Sequence, residues 1–213
     1  MKGIPAGAAG WRDAWRKAGL IHRVSAVTAD PWSLPLADKS FDLAWNFVTL
    51  SRENFFIDAL KEMARVASRS VMTVHCNASN YGHPWHRFLH TTLNLPWTHG
   101  SAEFMEPDAA AEAYRSAGIE VVEHGYLDMP FWPDPPGPRD VRLHMKGQAE
   151  EGEEGFRDIA WHAPIVDIIR GTSRPSLFLR LLSGLEDLPA PAGIRRRFSH
   201  LFYIWGRPQG TGA

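Results

Sequence analysis

The chain has 213 residues, the length of one ordinary domain, and its 44% hydrophobic and 22% charged content excludes a disordered or fibrous protein. With 23 Lys plus Arg against 24 Asp plus Glu, the net charge is −1, which excludes the basic footprint of a dedicated nucleic-acid binder or a cationic membrane-surface protein. The single cysteine, Cys76, excludes an intrachain disulfide. That cysteine usage, the lack of an apolar run of membrane length and the absence of a secretory-type N-terminus lead to the expectation of a cytoplasmic protein.

Residues 11–18, where Trp11, Ala14, Trp15 and Ala18 alternate with Arg12, Arg16 and Lys17, predict a short amphipathic helix ended by Gly19. Val24–Ala29 is a β-branched run that stops at Asp30-Pro31 and predicts a strand. After the connector Leu34–Ser40 come a second predicted strand, Phe41–Phe47, and a helix, Ser51–Val66, with Phe55, Phe56, Leu60, Met63 and Ala64 on one face. Ser70–Asn77 is the third strand. These apolar runs lack alternation, as in strands covered on both faces, and the strand–helix–strand order predicts an α/β fold.

Beyond Asn77 the pattern changes. Residues 78–105 hold Gly82, Pro84, Pro96 and Gly100 around one predicted helix, His86–Leu93. Pro107–Ser116 is a helix opened by Glu106-Pro107-Asp108 and closed by Gly118, and Ile119–Tyr126 is a fourth strand. Pro130–Pro138 is irregular, and Glu150–Glu154 is a solvated acidic run. Residues 156–187 predict two helices split near Gly171–Pro175, and Ser199–Gly206 predicts a last strand. Among the nine tryptophans, Trp11, Trp15, Trp45, Trp161 and Trp205 are assigned to core filling.

The string Asp30…Leu34-Pro35-Leu36-Ala37-Asp38-Lys39-Ser40-Phe41-Asp42-Leu43 resembles the D…LPF-x-D-x-SFD segment of class I S-adenosylmethionine-dependent methyltransferases of the type 11 group. Leu60–Val66 (LKEMARV) is similar to that family's L-x-E-x-x-RV helix, Ser70–Asn77 to its fifth strand and Ala117-Gly118-Ile119 to the entry of its sixth. Ser199–Gly206 matches its antiparallel seventh. The resemblance spans most of residues 20–128. It implies a Rossmann-like α/β sheet of strand order 3-2-1-4-5-7-6 and S-adenosyl-L-methionine as cofactor.

In open parallel sheets, ligands lie outside the carboxyl ends of the strands. The resemblance places Asp30 on the adenine amino group and Asn46 at the methionine end; Pro31 and Trp32, which follow Asp30, are positioned to cover the adenine face. Taken alone, Asp30 also fits an Asp that closes a strand before proline. The family begins with a strand, an E-x-G-x-G-x-G turn and a second strand ending in a ribose-binding acid; Gly3, Gly7 and Gly10 follow no apolar strand and do not form that turn. The sheet is therefore expected to be N-terminally incomplete. Three arrangements accommodate this: a shortened chain, which is favoured; direct pairing of Val24–Ala29 with Phe41–Phe47; or a homodimer or other partner that supplies the missing strands.

Residues 75–99 concentrate His75, His83, His86, His90 and His99 with Tyr81, Trp85 and Trp97. His86 and His90 are helical neighbours, as metal pairs can be, but no H-E-x-x-H accompanies them, and no metal site is expected. Within one domain of residues 1–213, segments 78–105 and 129–190 are read as insertions forming a substrate cap. Tyr81, Trp85, Trp97, His99 and Trp132 wall an apolar or planar acceptor there, and His83, His86 and His90 are the candidate bases. The expected function is methyl transfer to a small molecule. An inactive methyltransferase-like binding or assembly module is the alternative, and a metal-dependent hydrolase a distant third.

Overall fold

The computed structural model describes residues 15–16, 19–50, 54–94, 102–129, 174, 177, 180–181, 184 and 189–210. The chain divides into two compact units, Met1–Thr28 with Pro136–Ser183, and Ala29–Pro135 with Gly184–Ala213. In the first unit the described residues include a 3-10 turn at Ile21–Arg23, followed by Val24–Thr28 without regular structure. The predicted strand Val24–Ala29 does not form. A β-branched run is a strand only when a neighbour takes up its backbone groups, and here it has none in the sheet.

The second unit carries a four-stranded sheet built from β1 (Phe41–Phe47), β2 (Ala67–Cys76), β3 (Ile119–Leu127) and β4 (Leu201–Pro208) in the order β1-β2-β4-β3. β1 and β2 are parallel, with α1 (Phe56–Val66) as their crossover, and β4 lies antiparallel to both β2 and β3. In the family's numbering this corresponds to the order 4-5-7-6, the second half of the expected sheet. Among the described residues β1 is bonded only to β2.

The other described elements are three helices, α2 (His83–Thr92), α3 (Pro107–Ser116) and α4 (Ala192–Phe198), and a 3-10 turn at Glu103–Met105. α3 has the predicted bounds. Proline suits its first turn, and Gly118, at φ +72°, takes the left-handed step that ends it. α2 starts three residues earlier than predicted, and α4 was not anticipated.

One face of the sheet is the core. α1 aligns Phe56, Ala59, Leu60, Met63 and Val66 at helical spacing, and these side chains meet Val71, Phe202 and Ile204 of the sheet and Ala110, Ala113 and Tyr114 of α3. Each large side chain fully buried there contributes about 1.5–3 kcal/mol relative to exposure. The polar side chains on this face form a bonded series: His75 Nε2 lies 2.6 Å from Thr73 Oγ1, which lies 2.9 Å from the Tyr114 hydroxyl, which donates to the Ile204 carbonyl at 3.0 Å. The His75 ring also stacks on Phe202 and meets Phe56 edge-on.

The opposite face is a correction to the sequence reading. Trp45 is 64% exposed and Trp205 42%, and Trp15 in the first unit is 41%, so none of the three fills a core. Trp45 lies across from Met72, and Met72 across from Trp205, so an apolar row crosses three strands. Within the predicted helices, Trp15 and Arg16 of 11–18 and Leu177, Arg180, Leu181 and Gly184 of 156–187 are helical; the rest of 11–18, the rest of 156–187 apart from Arg174, the segments Pro130–Pro138 and Glu150–Glu154, and Trp11, Trp97, His99, Trp132 and Trp161 lie outside the described residues.

Candidate functional site

Two stretches of sequence that resemble the family separately are one structural unit. The Arg65 guanidinium donates to the Leu36 carbonyl at 2.7 Å, the Leu34 carbonyl at 2.9 Å and the Asp38 carboxylate at 2.6 Å. It also forks onto Glu62, whose Oε2 accepts the Leu34 amide at 2.8 Å. The L-x-E-x-x-RV residues of α1 thus staple the LPLAD connector along the helix. The Arg65 hydrogen bond holds the Glu62 carboxyl below its usual range.

The staple sets where the preceding residues go. Trp32 packs on Phe55 at the start of α1, with ring centroids 4.5 Å apart, and remains nearly half exposed. Since β1 runs into α1, this is the carboxyl end of the parallel strands. Asp30 is exposed in a tight turn, bridged to Ser33, and is not the terminus of a strand as the sequence reading had it. Asn46 folds back on the turn after β1: its Nδ2 donates to Thr49 Oγ1 at 2.7 Å, and its Oδ1 accepts the Leu50 amide at 3.1 Å. Within that turn Val48 sits at φ +63°, a left-handed conformation that a β-branched residue adopts only under strain.

The loop after β2 is held by two asparagines. Asn77 Nδ2 donates to the carbonyls of Arg196 and Ser199, and Asn80 Nδ2 donates to that of Ser199. Each also folds on its own loop, accepting the amides of Ser79 and Gly82. Asn77 therefore stands at the carboxyl end of the sheet, but its amide is spent on structure.

A polar group that the sequence reading missed sits beside it. Ser79 Oγ donates to Glu106 Oε2 at 2.8 Å, while Arg196 donates from Nε to Ser79 Oγ at 3.0 Å and from Nη2 to Glu106 at 3.2 Å. These residues come from three elements far apart in the chain.

Of the candidate bases, His83 opens α2 within the field of Glu106. Burial, reinforced by Arg87 and His86 and opposed by Glu106, holds its imidazole below the ordinary histidine range. It is neutral near pH 7 and able to accept a proton. His86 and His90 stack with centroids 4.8 Å apart, and His90 is buried. Among the described residues no group of three or more His, Cys, Asp or Glu side chains is disposed to hold a metal ion. Tyr81 packs on Phe198 and Trp85 on Phe88, all four from α2, α4 and the loop between β2 and α2, and Trp85 and Phe88 stay about half exposed. No described helix is long and apolar enough to cross a membrane.

No family model and no curated protein matches the sequence. Solved structures do match in shape. The MccD protein superposes with a TM-score of 0.51 at 13% identity, over 97% of this chain and 77% of that one. The (4+2)-cyclase SpnF gives 0.48 at 18% identity over 95% of this chain, and this chain spans 63% of its length. A methyltransferase of Thermotoga maritima, described as SAM-dependent and as a possible histamine N-methyltransferase, gives 0.47 at 14% identity over 91% of this chain and 69% of that one. The strand order, the antiparallel last strand and the likeness to MccD together give a Rossmann-like α/β fold with an antiparallel last strand.

Proposed function

We propose that the chain serves S-adenosylmethionine-dependent methyl transfer to a small-molecule acceptor. The observation that carries this reading is the staple of Glu62 and Arg65 on Leu34–Asp38, because it makes two family-like motifs a single device that presents residues 30–32 at the carboxyl end of the parallel strands. An exposed carboxylate at Asp30 beside the half-exposed Trp32 indole suits a purine that carries an exocyclic amine. Asp30 accepts from that amine, Pro31 and Trp32 cover the ring, and the turn shaped by Asn46 receives the methionine end. The cofactor supplies a methyl group on a sulfonium. The acceptor approaches from the side of Tyr81 and Trp85, and His83 takes the proton that it loses. Positioning accounts for most of the rate in such a transfer, so loss of His83 slows the reaction less than loss of the cofactor contacts.

Calorimetry with S-adenosylhomocysteine tests the reading. One-to-one binding is expected. Asp30→Ala removes a charge-assisted hydrogen bond of about 1.5–3 kcal/mol, so its affinity falls roughly ten- to hundredfold. Unchanged affinity would remove Asp30 from the site. No binding by the unaltered chain would leave the assembly-module reading.

A further inference from the structure

We infer that Asn80 is a positioning residue: it fastens the first residue of α2, His83, to the start of β4 and so fixes the His83 imidazole at the carboxyl end of the sheet. The inference rests on the reading of His83 as the base, and its test needs neither cofactor nor acceptor.

Asn80 is buried, and each of its polar groups is bonded. Its amide donates to the Asn77 carbonyl at 3.1 Å, and its own carbonyl accepts the His83 amide at 3.0 Å. In the side chain, Oδ1 accepts the Gly82 amide at 2.7 Å and Nδ2 donates to the Ser199 carbonyl at 3.0 Å. An asparagine folded onto the amide two residues ahead is a common turn device. Here it stands in for a helix cap. α2 starts from Gly82 with no side-chain cap of its own, and the amides of a first turn have no partners within the helix. The Gly82 carbonyl then accepts the His86 amide at 2.9 Å, which begins the helical ladder.

The bond to Ser199 reaches 119 residues along the chain. Ser199 is a fixed point: it is buried between α4 and β4, and its carbonyl also accepts Asn77 Nδ2 at 2.8 Å. Tyr81 adds a second tie, its amide donating to the Arg197 carbonyl at 2.9 Å and its ring packing on Phe198 with centroids 5.0 Å apart. α2 needs these ties, because His90 is the one side chain it buries and Trp85 and Phe88 stay about half exposed. Packing of so small a face does not fix a helix of ten residues, so its place is set at its first turn. A base acts only from within hydrogen-bond reach of the proton it takes, and that placement is what Asn80 supplies. Asn77 differs in this respect. Its side chain holds the carbonyls of Arg196 and Ser199 and the amide of Ser79, and touches no backbone group of α2.

Titration of the imidazole signals of the 213-residue chain by proton magnetic resonance, with His83 assigned through His83→Gln, tests the role. In the parent chain, burial with Arg87 and His86, against the opposing pull of Glu106, holds the His83 midpoint below the ordinary value of about 6.5. In Asn80→Ala the first turn of α2 comes loose, the ring passes into water, and the midpoint rises to about 6.5. Asn80→Ser keeps an acceptor for the Gly82 amide but loses the reach to Ser199; this milder variant should raise the midpoint by less. Asn77→Ala is the control. It breaks bonds to Arg196 and Ser199 yet leaves the Gly82 and His83 amides bonded, so it lowers the urea midpoint and leaves the His83 titration in place. An ordinary midpoint already in the parent, no rise in either Asn80 variant, or an equal rise in Asn77→Ala overturns the inference. Failure of the chain to bind S-adenosylhomocysteine would count against the proposed function instead and would leave these titrations unchanged.

Discussion

Gly206→Ala should destabilise the chain by about 2–3 kcal/mol, near the upper end for overpacking a core. Gly206 lies in β4 where β3 and α3 close over it. A Cβ there would stand 2.5 Å from Ile119 Cγ2, 2.7 Å from the Glu120 carbonyl oxygen and 3.1 Å from Tyr114 Cδ1. The carbonyl belongs to the paired strand, so it cannot yield without breaking the β3–β4 ladder. Ile119 and Tyr114 are fully buried and have no free volume to move into. Gly125 is the internal control. The nearest atoms a Cβ there meets are those of the Tyr203 ring, the outer end of a rotatable and partly exposed side chain, so Gly125→Ala should cost less. Urea denaturation of the two variants measures the difference. Equal midpoints would mean that β3 and β4 do not pair in this register.

Stability should also fall as the pH drops from about 7 to about 4, by roughly 3 kcal/mol from one residue. His75 is enclosed by Phe56 and Phe202, and burial pushes its imidazole down to about 4. The unfolded chain takes up a proton near the ordinary pKa of about 6.5, while the native chain refuses it until about 4. Between those values the unfolded state holds more protons, so acid favours unfolding; above the window the effect vanishes. His75→Phe keeps the stacked ring and removes the titration. Denaturant melts at pH 7.5 and 4.5 should therefore show a smaller acid loss in the variant than in the parent. An identical loss in both would place the histidine outside the core.

The contrast between what the sequence revealed and what it hid has a physical basis. The helix Pro107–Ser116 was legible to the residue because its opening and its glycine stop are local chemistry. β1 was legible with its bounds, while β2 and the antiparallel last strand were legible as apolar runs whose ends shifted by a few residues, since bounds depend on ladder partners. Val24–Ala29 misled for the same reason: a β-branched composition is permission to be a strand, and the pairing neighbour decides. Trp45 and Trp205 misled differently. Hydrophobicity marks a residue as able to be buried, and whether its face of the sheet is covered is decided elsewhere.

At the candidate site, Asn77 was correctly read at a strand's end, yet its work is to hold carbonyls 119 and 122 residues away, a distance no local pattern spans. The Ser79–Glu106–Arg196 group was invisible for that reason. A faint signal existed in the three consecutive arginines of α4 after Pro191, which hint at carboxylate partners beyond the helix.

The central claim is that a cofactor site lies at the carboxyl end of β1, around Trp32. The direct measurement is the indole N–H region of a proton–nitrogen correlation spectrum during titration with S-adenosylhomocysteine, assigned with Trp32→Phe. The account predicts that the Trp32 signal moves while that of Trp205, on the opposite face of the sheet, stays in place. Saturation without movement at Trp32, or no change in any indole signal at millimolar ligand, would contradict it.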